Sequence, residues 1–291
     1  MSDPSAQLPV SEQLPSVTVR IRTKGFSDRD WTGVGTGFVW VEKLANGGSA
    51  TFLITNRHVL KDATVVGLTL QGTAPDGSRA SGPGREVATP LGELHIIYHS
   101  RPEVDLALLA LGPIFQRLNN AGFHPHFASV GRDIIPSAAQ IRDLSAAHPV
   151  TVVGYPNGVF DEANNLPVVR RGTTAIPPWI DYQGNKDLLL DIAVFGGSSG
   201  SPVFVLDEGF TIGRAGFQLG SSQLYLMGVL KAGHYQTELG TIIQIPAPTA
   251  MISVAEVDKM INLAVCVKSE QVVGLIDQAI AQFKLTPAPS S

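Results

Sequence analysis

Ser199 sits in the run Gly196-Gly197-Ser198-Ser199-Gly200-Ser201-Pro202, where glycines let the backbone bend sharply and let another molecule come close. A serine hydroxyl is a poor nucleophile at neutral pH. Its use in acyl transfer requires a base to take the proton and donors to hold the oxyanion. The turn itself offers donors, because the backbone N–H groups of Gly197 and Ser199 would point together into an oxyanion hole. A base is offered by His58 in Thr55-Asn56-Arg57-His58-Val59, which follows the apolar run TFLI and would stand at the rim of a barrel facing a cleft. Asp105 opens the run DLALLAL, where its carboxylate would accept the Nδ1 proton of the histidine and fix the tautomer. Taken singly, a flexible glycine-rich loop, a strand-end histidine and a turn aspartate account for the three motifs. Their combination points further, since they follow one another in the order His, Asp, Ser at separations long enough for separate strands to converge.

Strands must do the positioning. Apolar runs rich in β-branched residues recur between turn residues: SVTVRIRT, GTGFVWVE, SATFLITN, DATVVGLTL, ELHIIYHS and DLALLAL, then PVTVVGYP, LPVVRRGTTA, DLLLDIAV, GSPVFVLD, QLYLMGVLKA and GTIIQIPA. They read as antiparallel strands in two all-β lobes. KLANGG between the second and third runs carries Asn46-Gly47-Gly48, a source of the positive φ angles that a hairpin turn needs. The expected division is a disordered N-terminus over 1–14, a first barrel over 15–112, a connection over 113–148, a second barrel over 149–250 and a helical extension over 251–291. In that extension Ser253-Val254-Ala255-Glu256 has capping-box spacing, with Val257, Met260, Ile261 and Ala264 repeating on one face. Residues 270–283 place Val272, Ile276, Ala279, Ile280 and Phe283 on a second stripe, expected to pack on a barrel.

Composition narrows the function classes. The 291 residues can bury a full core without disulfides. The single Cys266 favours a reducing compartment, and with no signal peptide in the first 25 residues the expectation is cytosolic. No stretch approaches the roughly 18 consecutive apolar residues of a membrane helix. A net charge of −4 without a basic block argues against nucleic acid as a main partner. His124 and His126 flank a proline but have no Cys, Asp or Glu at ligand spacing nearby, so no metal site is expected. Gly33, Gly35 and Gly37 do not form a dinucleotide fingerprint.

The motifs TNRHV, DLALL and GGSSGSPVF, with GTGFV, VVGYP and IIQIPAP in support, resemble those of chymotrypsin-like serine peptidases, especially the HtrA-like and glutamyl-endopeptidase-like bacterial branches. The likeness spans residues 30 to 260. It implies two six-stranded antiparallel β-barrels of the chymotrypsin type, followed here by C-terminal helices, with the active site in the cleft between them. The implied activity is a serine endopeptidase that needs no cofactor, with Ser199 as nucleophile, His58 as general base and Asp105 as its orienting acid. The residue six places before the nucleophile, Ala193, would floor the pocket for the side chain preceding the scissile bond. Leu230, Lys231, Ala232 and Gly233 would pair with substrate backbone and line the pocket, with Ile242 or Ile243 narrowing the far wall. An apolar, uncharged floor predicts cleavage after alanine, valine or leucine. A register shift that brought in Asp191 would favour basic residues, and Lys231 or His234 at the rim would favour glutamate.

Ser198 occupies the position where digestive relatives carry an aspartate that binds a new N-terminal amine, so activation by that salt bridge is not expected. The length beyond the likeness is too short for the peptide-binding domain of HtrA proteins. Two other readings remain: a protease-like module that captures peptides without cutting them, and a dormant protease switched on by a protein partner in a bacterial stress or defence pathway.

Overall fold

The computed structural model describes residues 9–213, 216–241 and 254–289. A short helix α1 (Val10–Gln13) precedes the strands β1 (Thr18–Lys24), β2 (Gly33–Lys43) and β3 (Ser49–Thr55), the one-turn helix α2 (Arg57–Leu60), and β4 (Val65–Gly72), β5 (Arg85–Pro90), β6 (Ile96–Tyr98) and β7 (Ala107–Ala110). Their sheet runs β5-β4-β1-β2-β3-β7-β6 and curls without hydrogen-bonded closure between its two ends. The β2–β3 hairpin closes at Lys43 opposite Ser49, with Gly47 at φ +80 in its turn. A connection follows, carrying α3 (Gly112–Asn120), β8 (Pro125–His126), which pairs with β4, and α4 (Ala138–Asp143).

The second lobe contains β9 (Pro149–Gly154), β10 (Val168–Thr174), β11 (Asp187–Asp191), β12 (Pro202–Asp207), the hairpin β13 (Phe210–Gly213) and β14 (Gly216–Leu219), β15 (Gln223–Thr241) and β16 (Val254–Lys268). Six of these strands close a barrel in the order β10-β11-β16-β15-β12-β9. The chain then ends in α5 (Ser269–Gln282).

This differs from the expected helical extension over 251–291, from a second barrel that ends at 250, and from a disordered N-terminus that runs to 14, since Val10–Gln13 are helical and Leu14 is buried in the core between the lobes. Residues 254–268 are a strand, β16, that closes the barrel, and one helix follows it. The run LAVCV is buried on both faces: Ala264 and Cys266 join the barrel core while Val267 meets α5 and the inter-lobe core. Without polar alternation, periodicity does not separate a buried strand from a buried helix. The backbone decides, because β16 pairs with β11 and with β15 at once. Ser253, Ile242 and Ile243 lie outside the described residues.

Three cores are built from the described residues. Val39, Leu53, Leu68 and Leu109 fill the first lobe, and Val152, Leu190, Val205 and Met227 fill the barrel. Between the lobes, Phe38, Trp40 and Phe52 meet Phe204, Leu226 and Val229, and α5 seals the seam with Val272, Leu275, Ile276 and Ala279. Each of these helix side chains larger than alanine contributes about 1.5–3 kcal/mol by leaving water. Tyr155 crosses the same seam: its hydroxyl donates to the Thr18 carbonyl at 3.4 Å, and burial pushes its phenol up to about 12. The catalytic candidates therefore sit on two lobes fixed against each other by a continuous apolar core.

Candidate active site

On the first lobe, β3 ends at Thr55 and the chain turns through a buried Asn56 into α2, which carries His58. The Asn56 amide donates to the Asp105 carbonyl at 2.7 Å, tying this turn to the segment before β7. The Asp105 carboxylate then holds His58 twice. Oδ1 accepts the His58 backbone N–H at 3.0 Å, and Oδ2 lies 2.5 Å from Nδ1. With an ionised carboxylate the ring must supply the proton, so Nδ1 is the donor and Nε2 is left as the basic nitrogen. Burial alone would raise the Asp105 carboxyl, but the hydrogen bonds and charge of His58, joined by the charge of Lys231, hold it below its ordinary value. Arg57 steadies α2 from the other side, donating to the His99 carbonyl at 2.6 Å and covering the Tyr98 ring at 5.0 Å.

The second-lobe part is made of main chain. Ser199 lies between Gly197 at φ +83 and Gly200 at φ +87. A Cβ on Gly200 would stand 1.9 Å from the Thr36 carbonyl oxygen, and one on Gly197 would stand 2.4 Å from the Tyr155 carbonyl oxygen, so the turn excludes every larger residue at both places. The Asn157 N–H donates to the Gly196 carbonyl. Because a trans peptide carries its C=O and N–H on opposite sides, this directs the Gly197 N–H away from Asn157. The Ser199 hydroxyl donates to the Lys231 carbonyl at 3.3 Å.

Thr36 joins the two parts, and the sequence reading passed over it. Its N–H donates to the Ser199 carbonyl at 2.8 Å, its hydroxyl donates to the Gly197 carbonyl at 2.9 Å, and the same hydroxyl accepts the Tyr155 N–H at 3.1 Å. Thr55 in turn donates to the Thr36 carbonyl at 2.7 Å. The one available signal was a threonine inside the glycine-rich run Gly35-Thr36-Gly37, a position that is fully buried in the fold.

The expected pocket residues divide. Ala193 is half-buried, and its carbonyl accepts from Arg170, whose guanidinium covers the Phe195 ring at 5.3 Å. Leu230 must be removed from the set expected to pair with substrate. Its side chain is in the barrel core, its N–H donates to the Ser201 carbonyl and its carbonyl accepts the Gly200 N–H, both at 2.9 Å, so neither backbone group is available. Lys231 is the extra residue of a β-bulge between Leu230 and Ala232, and its ammonium pairs with Asp187 at 2.7 Å. Ala232 and Gly233 pair with Val265 and Ala264. Asp191 is exposed at the end of β11. The side chain of His234, like Ile242 and Ile243, lies outside the described residues. No group of three His, Cys, Asp or Glu suited to a metal occurs among the described residues.

The family model for the trypsin-like peptidase domain matches residues 35–213, well over half of the chain and a span that contains His58, Asp105 and Ser199. Among solved structures, the HtrA-type protease AlgW, determined with a tripeptide, matches with a TM-score of 0.50 at 15% identity, over 94% of this chain. The chain spans 63% of the length of that protein. No curated protein sequence matches significantly. No helix among the described residues is long and apolar enough to cross a membrane. A closed six-strand barrel beside a curled antiparallel sheet is the architecture of chymotrypsin-like peptidases, and the match of the family model agrees with it: this chain belongs to the trypsin-like peptidase domain family.

Proposed function

We propose that the protein is a serine endopeptidase with Ser199 as nucleophile, His58 as general base and Asp105 as the orienting acid. The observation that carries this reading is the double hold of Asp105 on His58, through the backbone N–H and through Nδ1, which leaves Nε2 free and basic. In the reaction the Ser199 hydroxyl turns from the Lys231 carbonyl to Nε2 and attacks the peptide carbonyl carbon. The proton passes to Nε2, and the new oxyanion is received by the N–H groups of Gly197 and Ser199. The imidazolium returns its proton to the leaving amine as the C–N bond breaks, and water repeats the sequence on the acyl-enzyme. Asp105 stays ionised throughout, and its low proton affinity suits that role.

For the side chain before the cut, Ala193 supports small or medium apolar residues, with shallow discrimination of about 1–3 kcal/mol per methylene. The ammonium of Lys231 is taken by Asp187, which weakens the case for glutamate, and the exposure of Asp191 weakens the case for lysine or arginine. The substrates are proteins or peptides, and a cytosolic setting rests on the one-cysteine composition. Reaction with a fluorophosphonate probe tests the assignment: one equivalent should attach at Ser199 and none to Ser199→Ala. An unreactive wild-type protein would mark a peptide-capturing module or a protease that waits for a partner.

A further inference from the structure

Asp105 lies in the loop that joins β6 to β7, and two helices hold that loop. The turn into α2 is one: Asn56 donates to the Asp105 carbonyl at 2.7 Å and Arg57 donates to the His99 carbonyl at 2.6 Å. The other is α5, which presents Gln271, Gly274 and Gln278 at helical spacing on one face. Gln278 Oε1 accepts the Ser100 N–H at 3.2 Å, and Gln271 Oε1 accepts from the Arg101 guanidinium. Between them a Cβ added at Gly274 would come 3.6 Å from His99 Nε2. The loop's internal bonds only fold it on itself: the Val104 N–H donates to the Arg101 carbonyl at 3.1 Å, and the Arg101 N–H donates to His99 Nδ1 at 3.2 Å. Its attitude toward His58 is set from outside.

We propose that Gln271 and Gln278 are positioning residues of the catalytic site: α5 holds the loop at Ser100 and Arg101 so that the Asp105 carboxylate meets the His58 backbone N–H and Nδ1 together. The helix is a fixed reference for this, because Val272, Leu275, Ile276 and Ala279 anchor its apolar face in the core between the lobes. The double hold is demanding, since each carboxylate oxygen serves a different donor, at 3.0 and 2.5 Å, and a tilt of the loop misaligns at least one bond. Gln271 is 8% exposed, a site where a polar amide is costly unless it is hydrogen-bonded, and its bond goes to this loop. The inference rests on the proposed triad, but it concerns the His58–Asp105 hydrogen bond, which can be observed without turnover.

The test follows the low-field proton NMR resonance of that hydrogen bond, together with kcat and KM on a peptide substrate. Gln271→Leu and Gln278→Leu remove the acceptors and keep the bulk. The resonance should move upfield or broaden, and kcat should fall about tenfold with little change in KM, because a displaced base weakens the chemical step and not substrate binding. Gln271→Glu keeps an acceptor for Arg101 and should retain both the resonance and kcat. Asp277→Asn removes the ion pair of α5 with Arg132, which touches no part of the loop, and should also leave both unchanged. A purely structural role predicts leucine variants that unfold at lower temperature with resonance and kcat at their wild-type values, and that result overturns the proposal. Equal changes in Asp277→Asn would overturn it too, since they would reflect general loosening of α5. Where Gln271→Leu folds poorly, Gln278→Leu decides alone by the same two readings. A wild-type Ser199 that stays unlabelled by the fluorophosphonate, with the expected resonance changes, would count against the peptidase reading and leave this inference standing.

Discussion

On the first-lobe side of the site two side chains meet directly: one carboxylate holds both the backbone and the ring of His58. On the second-lobe side almost everything is main chain, with two positive-φ glycines, the Asn157 bond to Gly196 and the Thr36 bonds to Gly197 and Ser199. The first half depends on the identity of two polar groups. The second depends on the absence of side chains and on a neighbour that fits the space. Substitutions should therefore fail differently: in the first half by loss of charge and proton transfer in an intact fold, in the second by displacement of the turn.

The largest effect separates the halves from their joint product. On the proposed reading, Ser199→Ala and His58→Ala each lower turnover about 10⁴- to 10⁶-fold, and the double variant loses little more than either alone, because the pair acts as one unit. Asp105→Asn keeps the fold but allows the wrong tautomer, with a loss of order 10⁴. Steady-state kinetics with circular dichroism on the same preparations checks both. Additive losses in the double variant would mean that the two residues act independently.

The second test acts on the other half. Gly200→Ala forces a side chain to positive φ and into the Thr36 carbonyl, which costs about 2–4 kcal/mol of stability and, through a displaced nucleophile, about 10²-fold in turnover. Thr36→Val leaves the Gly197 carbonyl and the Tyr155 N–H without their hydroxyl, at about 1–3 kcal/mol for each buried group left unpaired. Thermal unfolding should therefore rank Gly200→Ala and Thr36→Val well below Asp105→Asn, while turnover ranks Asp105→Asn lowest. Equal loss of stability in all three would erase the distinction between the halves.

The same contrast explains what the sequence made legible. His58, Asp105 and Ser199 stood out because reactive side chains occur in short runs, TNRHV, DLALL and GGSSGSP, that can be read one at a time. Thr36 did not, because its importance lies in a backbone N–H and a hydroxyl that meet residues more than a hundred positions away. Leu230 was misread for a related reason. It was expected to pair with substrate backbone, and only the register against Gly200 and Ser201 reveals that both its backbone groups are engaged. The end of β16 was hidden because residues 264–267 are buried on both faces, whereas α5, with a polar face, appeared at nearly its observed limits.

The smallest expected effect concerns what organises the second half. In digestive relatives an aspartate before the nucleophile binds a freshly made N-terminal amine, and the turn is not ready until that bond forms. Here the position is Ser198, 4% exposed, with its N–H donated to the Phe195 carbonyl at 3.1 Å. A hydroxyl has no charge to offer an ammonium, and a buried site beside it would not repay the desolvation of one. The turn instead takes its shape from hydrogen bonds to Thr36, Asn157 and Leu230 of the same chain, which are present from the moment the lobes pack. Protein carrying an N-terminal tag should therefore label with the fluorophosphonate at the same rate as protein from which the tag has been removed, and Ser198→Ala should leave that rate nearly unchanged. A rate that rises only after cleavage, and only with one particular new N-terminal residue, would mean that the second half of the site is completed from outside the turn.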